Sequence, residues 1–440
     1  MLRASERPDP RASKPVAAAG RATSLDMLPT DLGSRGDLPL LGRKILFLQG
    51  PSSLFFAHSA RACRALGAEV LRIAFAPGDK LYWDRKVGRC LTYTGRPEEF
   101  AAWFATFQRT EQVSDVVMLG DGRIYHQAAV SVLRGGKATP WIVEQGYLRP
   151  GLIAVETWGT GGRSPIPQAF GDARRCPVPL RLDAPKSSFL RYAALDVGYH
   201  LANVLAGWAL TPNYRHHALV SPLAEYAGWI LKALRWPIRR WHQIVGRTQI
   251  DGHEGPIFLL ALQLPGDYQI RHHGTGETMA MLVHRVVRSF ARHAPPDALL
   301  AIKEHPLDNG LVDWRALVRR AACGAGIGSR VVHLPQGDAA DLFDRVSGVI
   351  SVNSTVGLSA LIARLPVLAL GRAIYRLPGL AAEQRLEDFW QYPQRPDPLV
   401  VREFRAFLQQ KWHIRGAFDG PGALQGATNL ALRLARGPTG

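Results

Sequence analysis

The sequence predicts an α/β fold with two Rossmann-like wound domains facing a cleft. Three observations carry that expectation. A chain of 440 residues is too long for one ordinary hydrophobic core, and its 47% apolar content is enough to fill two. Short apolar runs alternate with stretches of helical periodicity, once over residues 41–186 and again over 251–385. Between the two series, residues 187–250 are rich in alanine, leucine, tryptophan and arginine, and read as a mainly helical connection.

In chain order, residues 1–40 read as a flexible tail, since alanine, arginine, serine and proline follow one another there without periodicity. Lys44-Ile-Leu-Phe-Leu48 is a buried-strand run stopped by Gln49-Gly-Pro51. Ser53 to Leu66 has helical spacing and ends at Gly67, a suitable cap, and Glu69 to Ala74 is a second strand. Strand, helix, strand opens a parallel sheet. The rhythm continues with a helix over Phe100–Arg109, a strand over Asp115–Leu119, a helix over His126–Leu133 and a strand over Pro140–Val143.

The second series starts after Pro256. Strands are expected at Phe258–Leu262, Ala298–Ile302, Val331–His333, Gly348–Ser351 and Pro366–Ala369. Helices are expected at Thr278–Arg292, Ala339–Phe343 and Thr355–Ala363. Residues 386–440 read as a C-terminal helical segment. In open α/β sheets the ligand lies beyond the carboxyl ends of the strands, so the cleft between the domains is where function is expected. The GT-B plan of two facing domains fits this pattern. Other two-domain α/β folds fit it too, and the fold alone does not choose among their functions.

The formal net charge of +18 has two readings. It attracts polyanions, anionic lipid or an acidic ligand, or it is arginine solvating the surface. Four cysteines, at positions 63, 90, 176 and 323, form no CxxC pair and no metal-ligand spacing with histidine, so reduced thiols are expected. The charged, proline-bearing N-terminus leads to no secretory signal expectation, and no run of about 18 uncharged apolar residues predicts a membrane-spanning helix.

Ser351-Val-Asn-Ser-Thr-Val-Gly357 follows a strand and opens a helix. Ser351, Asn353, Ser354 and Thr355 gather where backbone N–H groups are unpaired, which suits a phosphate, and Gly357 permits close approach. The same residue types also make a plain helix cap. Lys303-Glu-His-Pro306 ends another strand, so His305 can donate to a phosphate or protonate a leaving group, or simply form a surface turn. Gln263-Leu-Pro-Gly-Asp267-Tyr-Gln269 ends a third, where Asp267 is a nucleophile, a base or an ordinary turn residue. A parallel sheet puts all three stretches on one rim.

The first domain has a matching rim. Gln49 to Ser52, Gly120 to Arg123 and Glu144 to Arg149 each follow a predicted strand. Glu144 is a candidate base, and Gln49, Arg123 and Arg149 are candidates for the acceptor side or for anion binding. A structural ion pair accounts for Glu144 and Arg149 equally well. Trp229 to Trp241 interleaves tryptophan with arginine, a pattern that suits an anionic membrane interface or a domain-linking helix.

At Leu46–Pro51, Thr94-Gly-Arg96, Glu144–Pro150, Gln263–Ile270, Glu304-His-Pro306, Val352–Ala360 and Pro366–Tyr375 the sequence resembles the capsule polysaccharide synthesis and export family, the KpsS/LipB-like proteins. It departs from that pattern at Glu144-Gln145, where two acidic residues are expected, and at Lys303-Glu304, where a more basic pair is expected. The resemblance implies a retaining β-Kdo transferase that uses CMP-Kdo to start the Kdo linker on a phosphatidylglycerol-type lipid. Such an enzyme is cytoplasmic and peripheral on the inner membrane, beside other capsule assembly and export proteins, with no nucleic-acid partner. Asp267, His305 and Glu144 are then the expected catalytic groups. Gln263, Gln269, Lys303, Ser351, Asn353, Ser354, Thr355 and Gly357 are expected around the donor. No DxD-like pair stands out, so no obligatory metal or other cofactor is expected. A non-catalytic capsule assembly factor and a transferase using another nucleotide sugar are the alternatives.

Overall fold

The computed structural model describes residues 38–172, 179, 189–216, 222–264 and 276–438. The strands are β1 Lys44–Phe47, β2 Glu69–Ala74, β3 Arg89–Thr92, β4 Asp115–Leu119, β5 Thr139–Gln145, β6 Leu152–Thr157, β7 Ile257–Ala261, β8 Leu299–Lys303, β9 Val331–Leu334, β10 Gly348–Ser351, β11 Val367–Ala369 and β12 His413–Arg415. They form a seven-stranded sheet in the order β12-β6-β5-β4-β1-β2-β3 and a five-stranded sheet in the order β11-β10-β7-β8-β9. Pairing is parallel throughout the second sheet and from β1 to β5 in the first.

Burial explains the strand sequences. Helices cover both faces of a parallel sheet, so its strands are continuously apolar. All five residues of β7, Ile-Phe-Leu-Leu-Ala, are buried. In each sheet the first strand of the series lies inside: β1 between β4 and β2, β7 between β10 and β8. Crossovers therefore change side at these strands, and a crevice opens beyond their carboxyl ends. The architecture is GT-B-like, two wound sheets whose carboxyl-end rims border one cleft.

Three strands were not anticipated. β3 is a short edge strand beside β2. β6 returns antiparallel on β5, with Ile142 opposite Glu156. β12, only three residues long, lies in the 386–440 segment that reads as helical, and it pairs antiparallel with β6. A helix over Trp314–Gly324, capped by Asp313 accepting from the Ala316 amide, was also missed. The expected Ala339–Phe343 helix is a 3-10 turn over Ala340–Leu342.

The 386–440 segment visits both domains. Helix Pro398–Phe407 packs on the second domain, and its Phe404 and Phe407 rings meet Phe170 of helix Ile166–Asp172 at 5.0 and 5.3 Å. Helix Gly422–Ala435 then lies in the first domain's core, where Leu430 and Leu434 are fully buried beside helix Phe55–Ala65. Each such leucine contributes about 1.5–3 kcal/mol of burial. The chain's end thus staples the two domains together.

Three helices connect the domains: Phe189–Leu210, Pro222–Leu234 and Trp236–Asp251. The first docks on the first domain, where Ser52 Oγ donates to Asp196 at 2.9 Å and the Gly78 amide to Asn203 at 2.7 Å. The last docks on the second, where Arg239 donates to Glu304 at 2.7 Å. Among the described residues no helix is long and apolar enough to cross a membrane.

Candidate active site

β10, β7 and β8 are adjacent and parallel, so their carboxyl ends deliver the Ser351–Thr355 loop, Gln263 and His305 to one rim. Strand spacing puts the outer two roughly 10 Å apart. Gln263 and Asn353 are clasped. The Gln263 Nε2 donates to Asn353 Oδ1 at 2.9 Å, and the Asn353 amide donates to Gln263 Oε1 at 3.1 Å. The pair fixes how the β10 loop leaves the sheet. Asp267 and Gln269, expected on the same rim, lie outside the described residues.

Helix Thr355–Ile362 starts directly after the clasp. Ser354 is its cap, accepting from the Val356 amide at 3.2 Å. Thr355 is half-buried, and neither its amide nor its hydroxyl has a hydrogen-bond partner among the described residues. Those two donors can take an anionic oxygen.

His305 is half-buried, and its Nδ1 accepts from the Leu307 amide at 3.1 Å. That bond leaves the proton on Nε2. Burial pushes the imidazole down to about 4, and the cations of Lys303 and Arg149 act in the same direction. At neutral pH His305 is an uncharged N–H donor. Arg149 belongs to the first domain, so its field at His305 links the two rims.

Other expected donor residues have different surroundings. Ser351 is fully buried and its hydroxyl pairs with Tyr375 at 3.1 Å, behind the loop. The Tyr375 hydroxyl also donates to the Ser354 carbonyl at 2.8 Å. Gly357 is buried, and a Cβ there would stand 2.2 Å from the Tyr375 hydroxyl. Its lack of a side chain makes room for that tyrosine and not for a ligand. Lys303 is 3% exposed and donates to the Glu304 carbonyl at 3.0 Å, so its ammonium is satisfied inside the domain. Tyr375 is the supporting residue that the sequence reading passed over, although it closes the Pro366–Tyr375 stretch.

On the first rim, β1, β4 and β5 are neighbours. The Leu119 amide donates to the Gln49 carbonyl at 3.1 Å and the Gly120 amide to the Val143 carbonyl at 3.0 Å, which knits the three strand ends together. Gln49 is 2% exposed, and its side-chain amide donates to the hydroxyls of Tyr199 at 2.6 Å and Tyr214 at 3.0 Å. It anchors the connecting helix, which removes it from the solvent-facing acceptor side. Glu144 is half-buried at the end of β5, its carboxylate above Gly120, where a Cβ would come within 2.9 Å of Oε2. Arg149 donates from Nε to the Gly146 carbonyl at 3.1 Å. Arg123 is half-buried and makes no hydrogen bond or ion pair through its side chain among the described residues.

One group on this rim was not foreseen. Glu156, on β6, is fully buried and accepts from Tyr147 at 2.6 Å and from Ser164. Burial raises its carboxyl to about 8, the two hydroxyls oppose that, and Asp121 and Glu144 add to it. A glutamate inside the apolar run Leu152-Ile-Ala-Val-Glu-Thr157 was the available signal. Among the described residues no group of three or more acidic, histidine or cysteine side chains is arranged to hold a metal ion.

Residues 114–418 match the family model described as capsule polysaccharide biosynthesis protein. The chain belongs to the capsule polysaccharide biosynthesis protein family. Within that family it is 29% identical to the capsule polysaccharide export protein KpsS of Escherichia coli over 387 residues, covering 86% of this chain and 97% of that one. It is also 29% identical to the capsule polysaccharide modification protein LipB of Neisseria meningitidis serogroup A over 389 residues, covering 85% and 91%. Among solved structures, the β-Kdo 2,7 transferase KpsC of Thermosulfurimonas dismutans aligns over 90% of this chain and 99% of that one, at 12% identity and a TM-score of 0.43. In this member of the capsule polysaccharide biosynthesis family, the Val352–Ala360 stretch of the resemblance lies at the carboxyl end of β10, on the rim of the five-stranded sheet.

Proposed function

We propose that this capsule polysaccharide biosynthesis protein is a retaining glycosyltransferase that moves Kdo from CMP-Kdo to a phosphatidylglycerol-type lipid. The observation that carries the reading is the second-domain rim, where the carboxyl ends of one parallel sheet bring an open helix start at Thr355 and an uncharged His305, its Nδ1 already accepting from the Leu307 amide. A CMP-sugar brings a phosphodiester and, in Kdo, a carboxylate. The Thr355 amide and hydroxyl would receive one phosphate oxygen and His305 another. Asn353, held by Gln263, would line the same place.

The transfer divides into two displacements. The Asp267 carboxylate bonds to the anomeric carbon while the bond from that carbon to the phosphate oxygen breaks. The electron pair leaves with CMP, and His305 hydrogen bonds to the departing oxygen. An acceptor hydroxyl then attacks the same carbon, Asp267 departs as a carboxylate, and the hydroxyl proton passes to a first-rim base, Glu144. Arg123 and Arg149 supply positive charge on the side where a lipid phosphate would approach. The scheme asks for no metal. The names of the relatives, an export protein and a modification protein, agree with a role in capsule assembly and leave the donor open.

The test is to incubate the purified full-length chain with CMP-Kdo and a phosphatidylglycerol-type lipid and to follow the lipid product by mass spectrometry. The proposal expects a lipid heavier by one Kdo, lost in Asp267→Asn with the fold intact. An Asp267→Asn variant with ordinary turnover rejects the nucleophile. CMP binding without any product, across acceptors, would support a non-catalytic assembly factor.

A further inference from the structure

The connecting helices carry an exposed apolar surface that the transfer chemistry does not use. On helix Phe189–Leu210 the side chains of Leu201, Leu205 and Trp208 are 53%, 66% and 77% exposed, at spacings of four and three residues. On the next two helices Leu234, Ile238 and Trp241 repeat that spacing at 72%, 61% and 59% exposure. Such spacing aligns Leu201, Leu205 and Trp208 along one helix face, while Leu234 ends one helix and Ile238 and Trp241 lie in the first turns of the next. A soluble surface seldom leaves so many large apolar groups in rows.

The helices that carry the rows also hold the two rims. The first helix holds the first rim through Tyr199 to Gln49 and Ser52 to Asp196. The second row's helices hold the second rim, where Lys232 donates to the carbonyls of Pro306 at 3.0 Å and Asp308 at 2.5 Å, next to His305. Cations stand among the apolar groups. Arg235 is exposed and has no ion-pair partner among the described residues, and Arg240 lies 5.6 Å from the Trp236 ring.

We infer that these two rows form a bilayer-docking face that seats the cleft against an anionic lipid surface. The occupant follows from charge. A second copy of this chain would bring another +18 and would set Arg235 and Arg240 against their own kind. An anionic bilayer accepts the arginines at its headgroups and the leucines and tryptophans at the acyl boundary. The inference does not depend on which sugar donor the cleft takes.

Vesicle flotation of the full-length chain tests it. With vesicles of phosphatidylcholine plus phosphatidylglycerol the chain floats, and with phosphatidylcholine alone binding is weak. Replacing Leu205, Trp208, Leu234 and Trp241 together by serine lowers the partition coefficient at least about tenfold, with near-ultraviolet circular dichroism unchanged. Arg235→Glu with Arg240→Glu weakens binding most at low salt. Should the fourfold variant fail to fold, Trp208→Ser and Trp241→Ser singly each reduce the blue shift of tryptophan emission on adding vesicles. The inference is overturned if the wild type ignores anionic vesicles or if the folded variants bind like the wild type. It is equally overturned if light scattering shows a wild-type dimer that the serine variants turn into monomers.

Discussion

Gln263 and Asn353 hold each other by two hydrogen bonds of 2.9 and 3.1 Å, one in each direction, across the carboxyl ends of β7 and β10. The clasp joins two loops that are far apart in sequence and sets the angle at which helix Thr355–Ile362 presents its first turn. Gln263 is 5% exposed, so water replaces it poorly.

Gln263→Ala leaves the Asn353 amide and side chain without these partners. The expected cost is about 1–3 kcal/mol of stability, read as a lower thermal midpoint. CMP affinity measured by calorimetry falls as well, because the Thr355 donors lose their orientation. Unchanged affinity would separate the clasp from donor binding.

Gly357→Ala meets the buried Tyr375 hydroxyl, which a Cβ would approach to 2.2 Å. Overpacking at such a site costs about 1–3 kcal/mol. Adding Tyr375→Phe removes the nearest atom, and the double variant recovers part of the loss in thermal unfolding. A harmless Gly357→Ala would show that the loop yields freely.

The parts of the fold that the sequence revealed are those where burial acts on both faces of a strand. β7 is an unbroken apolar run, β8 and β10 are apolar up to a closing Lys303 and Ser351, and their order put Gln263, His305 and Ser351 at successive strand ends. β12 was hidden because His413-Ile-Arg415 is too short to show a period, and its partner β6 lies far away in the chain. The site was half legible for a similar reason. Residue types marked the Ser351–Thr355 loop, but its inside and outside are set by Tyr375, which arrives from beyond β11. Ser351 and Gly357 face that ring, while Thr355 remains open. Gln49 likewise depends on Tyr199 and Tyr214, which are distant in sequence.

Glu156 makes stability depend on pH in the alkaline direction. Its carboxyl is raised from the ordinary value of 4.5 to about 8 in the folded chain, so the unfolded chain gives up its proton first. Stability is full below about 4.5 and declines as pH rises to about 8. Glu156→Gln removes that dependence. Thermal midpoints at pH 5 and pH 8.5 are expected to show a larger advantage for the variant at the higher pH.

His413 acts in the opposite sense. Buried, it accepts from the Tyr147 amide at 2.9 Å and contacts the Leu408 carbonyl at 2.7 Å through Nδ1. Burial lowers it from 6.5 to about 4, with the Leu408 bond opposing. The unfolded chain therefore takes up the proton first on acidification. Its contribution is present above about 6.5 and is lost as pH falls towards 4. His305, also lowered to about 4, adds to the same trend. In a Glu156→Gln background, which removes the opposing carboxyl, circular dichroism melts between pH 7 and pH 4.5 should show a falling midpoint, with a shallower slope when His413→Gln is added.

The most direct measurement is calorimetric titration of the full-length chain with CMP and, separately, with UDP. The proposed CMP-Kdo donor predicts CMP binding in preference to UDP, and a donor phosphate held between His305 and Thr355 predicts that CMP binding weakens about tenfold or more in His305→Ala. UDP preferred over CMP, or equal CMP affinity in wild type and His305→Ala, would contradict it.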